Sequence, residues 1–140
     1  MSHLFNESDY NGDISKWDTS NVTDMHSMFL LAKKFNQPIG DWDVSHVTDM
    51  SEMFCCSVFN QDISNWDVSN VTNMEFMFEE SEFDSDISKW DVSNVTNMNN
   101  MFLYSPFNQD ISNWNISNVK KYFRVFAQCP IKRAYKPKKK

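Results

Sequence analysis

Five tryptophans, Trp17, Trp42, Trp66, Trp90 and Trp114, are spaced by 25, 24, 24 and 24 residues, and the chain has no others. A fixed spacing of this length marks a tandem repeat. Each copy is then one structural unit that can bury its apolar side only against its neighbours. The phrase is clearest in the third copy: Phe59-Asn60-Gln61-Asp62-Ile63-Ser64-Asn65-Trp66-Asp67-Val68-Ser69-Asn70-Val71-Thr72-Asn73-Met74-Glu75-Phe76-Met77-Phe78. The other copies open at Tyr10, Phe35, Phe83 and Phe107. Eight of the nine methionines fall in two columns, Met25, Met50, Met74, Met98 and Met28, Met53, Met77, Met101.

The two halves of the unit differ in period. Ile63, Trp66 and Val68, with Asp67 between the last two, read as a short half-buried strand. Val71, Met74, Met77 and Phe78 follow at i, i+3, i+6 and i+7, the apolar face of a two-turn helix. Thr72 with Glu75 three residues on reads as a capping box, and Thr23, Thr48 and Thr96 repeat the position. So short a helix does not persist alone. The expected fold is therefore a repeat solenoid, with equivalent residues in ladders about 4.8 Å apart.

The ends depart from the pattern. Tyr122 and Val125 replace the two methionines of the fifth copy, Lys120 replaces its threonine, and Leu4-Phe5 stands where Met28-Phe29 would stand one unit earlier. The expected organisation is a partial repeat or cap over 1–9, a five-unit solenoid over 10–130, and a basic tail over 131–140 expected to be disordered. The N-terminal piece reads either as a rudimentary cap or as the cut end of a longer array. With 41% hydrophobic residues the chain lies above disordered compositions, and no apolar run is long enough for a transmembrane helix. Three cysteines, two of them adjacent (Cys55, Cys56) and Cys129 distant, make no disulfide framework and read as reduced thiols. The start lacks a basic and apolar leader, which favours an intracellular location over the cell surface.

The phrase F-N-Q-D-I-S-x-W-D-V-S-N-V-T-x-M-x-x-M-F, over roughly residues 10 to 128, resembles the tandem repeat of the BspA-like family. That family is abundant in mycoplasma surface proteins and occurs in large DNA viruses and protists. The resemblance implies an α/β, leucine-rich-repeat-like right-handed coil of about five 24–25-residue units, with short parallel strands and short helices. Characterised members are surface proteins that bind host proteins and matrix, which implies adhesion or recognition.

Among the repeated columns, tryptophan and methionine read as core. The asparagine column, Asn11, Asn36, Asn60, Asp84 and Asn108, reads as a ladder bonding backbone groups of successive turns. Asp18, Asp43, Asp67 and Asp91, closed by Asn115, sit beside the inward tryptophan and so point out. Stacked carboxylates repel by roughly 1 kcal/mol per pair even in water, so donors, water or a cation must offset them. A second column, Asp13, Asp62, Asp86 and Asp110, is interrupted at Pro38. No glycine-rich calcium loop accompanies either column, so no metal site or cofactor is expected. His3, His26 and His46 suggest no pairing with a serine or cysteine, and the expectation is a protein without catalysis.

Charge is sharply divided. Residues 1–119 carry all 19 acids and four bases (Lys16, Lys33, Lys34, Lys89), net −15, while residues 120–140 carry nine bases and no acid, net +9. The leading expectation is a recognition or adhesion scaffold that binds another protein through its exposed sheet face. That face carries the row Lys16/Asp18, Asp41/Asp43, Asn65/Asp67, Lys89/Asp91 and Asn113/Asn115. One alternative is a structural component whose repeat ends stack between chains, so the chain is a monomer or an end-to-end oligomer. Another is a binder of nucleic acid or an anionic surface through Lys132, Arg133, Lys136, Lys138, Lys139 and Lys140.

Overall fold

The computed structural model describes residues 1–139. Its repeating unit is a coil of turns. In the third unit the Trp66 N–H donates back to the Ile63 carbonyl (3.1 Å), closing a four-residue turn where a strand was expected, with Ser64 and Asn65 at its centre. A second turn closes from Val71 to Val68 (2.9 Å). Where a helix was expected, Met74–Ser81 is a ribbon of linked turns: Met77 bonds back to Met74, Glu79 to Phe76 and Ser81 to Phe78, each at 3.2 Å. Phe76 and Glu80 occupy the third positions of the first and last of these turns at φ of 56° and 48°. A positive φ there is the mark of a type II turn. Six such pairs, four residues apart, run from His3/Glu7 to Arg124/Gln128, and none is a glycine.

The α/β solenoid in leucine-rich-repeat form is thus overturned. Among the described residues the one regular helix is a 3-10 turn, Arg133–Tyr135. Strand pairing is reduced to isolated parallel bridges joining Asp24, Asp49, Asn73, Asn97 and Lys121 in succession. The chain reverses every few residues, so no stretch is straight long enough to build a ladder.

The helical pattern misled for a geometric reason. The ribbon buries Met74, Met77, Phe78 and Ser81 and turns Glu75, Phe76, Glu79 and Glu80 outward, at least in part. Inward positions at i, i+3, i+4 and i+7 are also the apolar face of an α-helix. The capping box is absent as well: Thr72 Oγ1 donates to the Thr48 carbonyl one unit back (3.3 Å). Asn73 Oδ1 instead receives the Glu75 N–H (3.1 Å).

What joins the units is bonding between equivalent positions. In the ribbon alternate N–H groups donate to the next unit: Met50 to Asn73, Glu52 to Glu75, Phe54 to Met77 and Cys56 to Glu79, at 2.8–3.0 Å. The Ile39 carbonyl accepts twice, from its own turn's Trp42 N–H (3.1 Å) and from the indole of Trp66 one unit on (3.0 Å). One acceptor with two lone pairs thereby ties turn to neighbour. The asparagine column behaves as expected: Asn36 Oδ1 receives the Asn60 N–H and Asn60 Oδ1 the Asp84 N–H, both at 2.9 Å.

Three aromatic columns fill the interior. Phe29, Phe54, Phe78 and Phe102 stack with centroids 5.5–5.8 Å apart. Each also lies 4.2–4.3 Å from the phenylalanine that opens the next unit. Trp66, Trp90 and Trp114 stack at 6.4–6.5 Å. Offset stacks at such distances add to simple burial. Trp17 is the exception at 40% exposed.

Two substitutions check this architecture by chemical denaturation. Trp66→Ala removes a buried ring and its indole bond and should cost about 3–5 kcal/mol, with Trp17→Ala costing far less; equal costs would argue against a stacked interior. Glu80→Gly should be neutral or stabilising by up to about 1 kcal/mol, since glycine removes the left-handed penalty. In a helix the same change would cost about 1 kcal/mol.

Candidate interaction surface

The row chosen from sequence lies on a corner made by the first turn of each unit. Among the described residues there is no sheet for it to face, which corrects the expected sheet surface. Lys16, Asp41, Asn65, Lys89 and Asn113 occupy the third position of these turns, and Asp18, Asp43, Asp67, Asp91 and Asn115 follow the buried tryptophan column. All ten are exposed. A turn corner displays its central residues whatever their chemistry, so this position is free to vary while the flanking isoleucine and tryptophan stay inside.

The aspartates have local partners. Asp67 Oδ1 accepts from the Ser69 N–H (3.0 Å) and the Ser69 hydroxyl (2.6 Å), and Asp18 and Asp43 accept the same pair from Ser20 and Ser45. Asp13, Asp62, Asp86 and Asp110 each accept the N–H of the serine two residues on. These are the donors that the stacked carboxylates require. The serine hydroxyl, then the serine N–H, holds Asp13, Asp18, Asp43, Asp62, Asp91 and Asp110 below the usual carboxylate range. At Asp86 the N–H is the larger cause.

A shallow groove of about 320 Å³ opens beside the corner, lined by Ser15, Pro38, Gly40, Asp41, Asp62 and Asn65 among others. Gly40 takes the place that serine holds in the other units. A Cβ there would stand 2.5 Å from the Asp62 carbonyl oxygen. Pro38 and Gly40 interrupt two otherwise regular columns, of aspartate and of serine, and were the signal for this groove, and only Pro38 stood out in the sequence.

The described part of the basic tail does not trail away. Ile131 is buried, Lys132 N–H donates to Asn108 Oδ1 (2.9 Å), and the Tyr135 carbonyl receives the Ile111 N–H (3.0 Å). Lys132 Nζ lies over the Tyr135 ring at 5.1 Å and Lys136 Nζ over Phe126 at 5.6 Å. Arg133, Lys138 and Lys139 are exposed, and Lys140 lies outside the described residues. Ile131 and Lys132 thus extend the columns of Phe107 and Asn108, which sequence reasoning missed because aliphatic and basic residues replaced the repeat's own letters.

Sequence reasoning also missed a serine–histidine contact. His26 Nδ1 lies 2.7 Å from Ser51 Oγ, which donates to Asp49 Oδ1 at 2.6 Å. In a nucleophile relay the imidazole takes the hydroxyl proton and the carboxylate holds the other ring nitrogen. Here the serine proton goes to the carboxylate and the imidazole bonds the serine, so the trio links two coils and activates no hydroxyl. The Cys55 and Cys56 sulfurs lie 3.5 Å apart, and burial pushes both thiols up. Among the described residues no group of three or more His, Cys, Asp or Glu is arranged to hold a metal and no helix is long and apolar enough to cross a membrane.

The family described as "Mycoplasma protein of unknown function, DUF285" matches over residues 1–82 and again over 56–135. No curated protein and no solved structure matches.

The depressed aspartates set an acid limit. Their bonds contribute stability above the unfolded carboxylate pKa, and the contribution is lost as pH falls through the lower folded values. The melting temperature should therefore hold between pH 7 and 5 and drop below about pH 4. A flat profile down to pH 3 would show that the serine bonds contribute nothing.

Proposed function

Starting from a chain that belongs to the DUF285 repeat family of mycoplasma type, we propose a non-catalytic scaffold that recognises another protein through its turn-corner row. The repeat phrase resembles that of the BspA-like repeats, and that resemblance supports adhesion in their sense as the activity proposed. The observation that carries the reading is a surface left free by the fold. All ten row residues are exposed, and the one ion pair among the described residues, Lys34–Asp9 at 4.0 Å, lies outside the row. No side chain of the row is tied up in an ion pair among the described residues, and Asp41 lines the polar groove, so the row's charges stay available to a partner.

A fitting partner carries arginine or lysine against the aspartate column and an aromatic anchor for the groove. Reversing Asp67→Lys together with Asp91→Lys should leave the melting temperature within a few degrees, because neither side chain enters the interior. It should abolish binding to the protein that the unchanged chain retains from native lysate, measured again with purified components. Binding that survives the reversal but disappears when Lys138–Lys140 is deleted would assign recognition to the basic end.

A further inference from the structure

Every backbone-to-backbone hydrogen bond that joins one ribbon to the next runs the same way, from an N–H to a carbonyl one unit nearer the C-terminus. Asn100, Phe102 and Tyr104 donate to Phe123, Val125 and Ala127. The equivalent N–H groups of Arg124, Phe126 and Gln128 have no acceptor among the described residues. At the other end His26, Met28 and Leu30 accept from His3, Phe5 and Glu7, while the carbonyls of Ser2, Leu4 and Asn6 receive nothing among the described residues. Asn6 Oδ1 is also buried without a donor. One end offers three alternate donors and the other three alternate acceptors. We propose that copies of this chain add head to tail, the Arg124–Gln128 ribbon of one docking on the Ser2–Asn6 ribbon of the next.

The two ends fill different arcs of one coil and so do not collide. Ile131, Lys132 and Tyr135 extend the columns of Phe107, Asn108 and Ile111. Residues 1–8 occupy the ribbon arc alone, where Phe5 stacks on Phe29 at 5.5 Å. In the joint, Phe5 takes the place over Phe126 that the flexible Lys136 ammonium now holds at 5.6 Å. Trp17 is without the isoleucine carbonyl that the other four indoles use. It meets the Tyr135 carbonyl, which continues that column.

Charge and apolar exposure agree with the backbone polarity. Residues 1–24 carry five acids (Glu7, Asp9, Asp13, Asp18, Asp24) and one base, against nine bases and no acid in 120–140. Leu4 (50%), Tyr10 (43%) and Trp17 (40%) are exposed at one end and Phe123 (66%) at the other. Unpaired edges are templates for pairing. Because the two surfaces differ, the contact is heterologous and leads to open chains of copies.

The inference goes beyond the recognition reading and is tested without any partner. By analytical ultracentrifugation, the mass of the full chain should rise with concentration from micromolar to millimolar and fall with added salt. Leu4→Lys sets a like charge against Arg124, and Arg124→Glu sets a carboxylate against the acidic end. Both side chains are exposed, so melting should stay that of the unchanged chain, and Gln128→Glu is a second block of the same end. Each variant alone should be monomeric, and an equimolar mixture of Leu4→Lys with Arg124→Glu should assemble again, because one contact between them is unaltered and in the other the introduced ammonium meets the introduced carboxylate. A chain that stays monomeric at millimolar concentration, variants that assemble like the unchanged chain, or a mixture that gives no dimer would overturn the proposal.

Discussion

Bonding between equivalent positions of successive coils is the constraint on which everything else rests. In each ribbon half of the N–H groups close turns within the coil and the other half cross to the next. Neither half suffices alone, since an isolated type II turn without glycine is strained and an unpaired buried N–H is costly. The repeat length follows from this division. A residue added inside the ribbon would shift its in-and-out pattern against its neighbour, whereas the one 25-residue coil takes its extra residue at Lys33-Lys34, outside the ribbon, and keeps the bonds from Ser27, Phe29 and Leu31 to Ser51, Met53 and Cys55. The single 25-residue spacing, between Trp17 and Trp42, lies near one end, and Asn11 still bonds Asn36 across it.

The same constraint explains the letters of the repeat. Isoleucine stands three residues before tryptophan because its carbonyl serves both the turn and the next indole. Aspartate stands two residues before serine because the pair closes a small turn and supplies donors to a carboxylate that would otherwise face another above it. Methionine and phenylalanine alternate with polar pairs because the ribbon shows two residues inward and two outward. The cost of twelve left-handed residues, of order 1 kcal/mol each, is offset by crossing bonds and by three aromatic columns.

The proposed recognition and the proposed assembly draw on separate parts of this plan. The turn corner holds side chains that no coil needs, so it varies from Lys16 to Asp41 to Asn65 without disturbing the stack. The ribbon ends hold backbone groups that every other coil satisfies internally. Charge divides along the same line, with the corner acidic through four units and the last coil basic.

Much of the architecture was legible in the letters. Tryptophan spacing and the two methionine columns determined the number of units and the interior residues. The asparagine column announced its ladder, and the row of exposed residues was correctly separated from the buried ones. The secondary structure was not legible, because linked type II turns and an α-helix bury the same positions, and a turn can carry the apolar spacing of a strand. Periodicity reports which side chains go inside. It does not report which N–H finds which carbonyl. That choice was made by tertiary stacking: the crossing acceptors at Asn73, Glu75, Met77 and Glu79 exist only once the next coil is in place, and they reward the left-handed turns that no single unit would adopt alone.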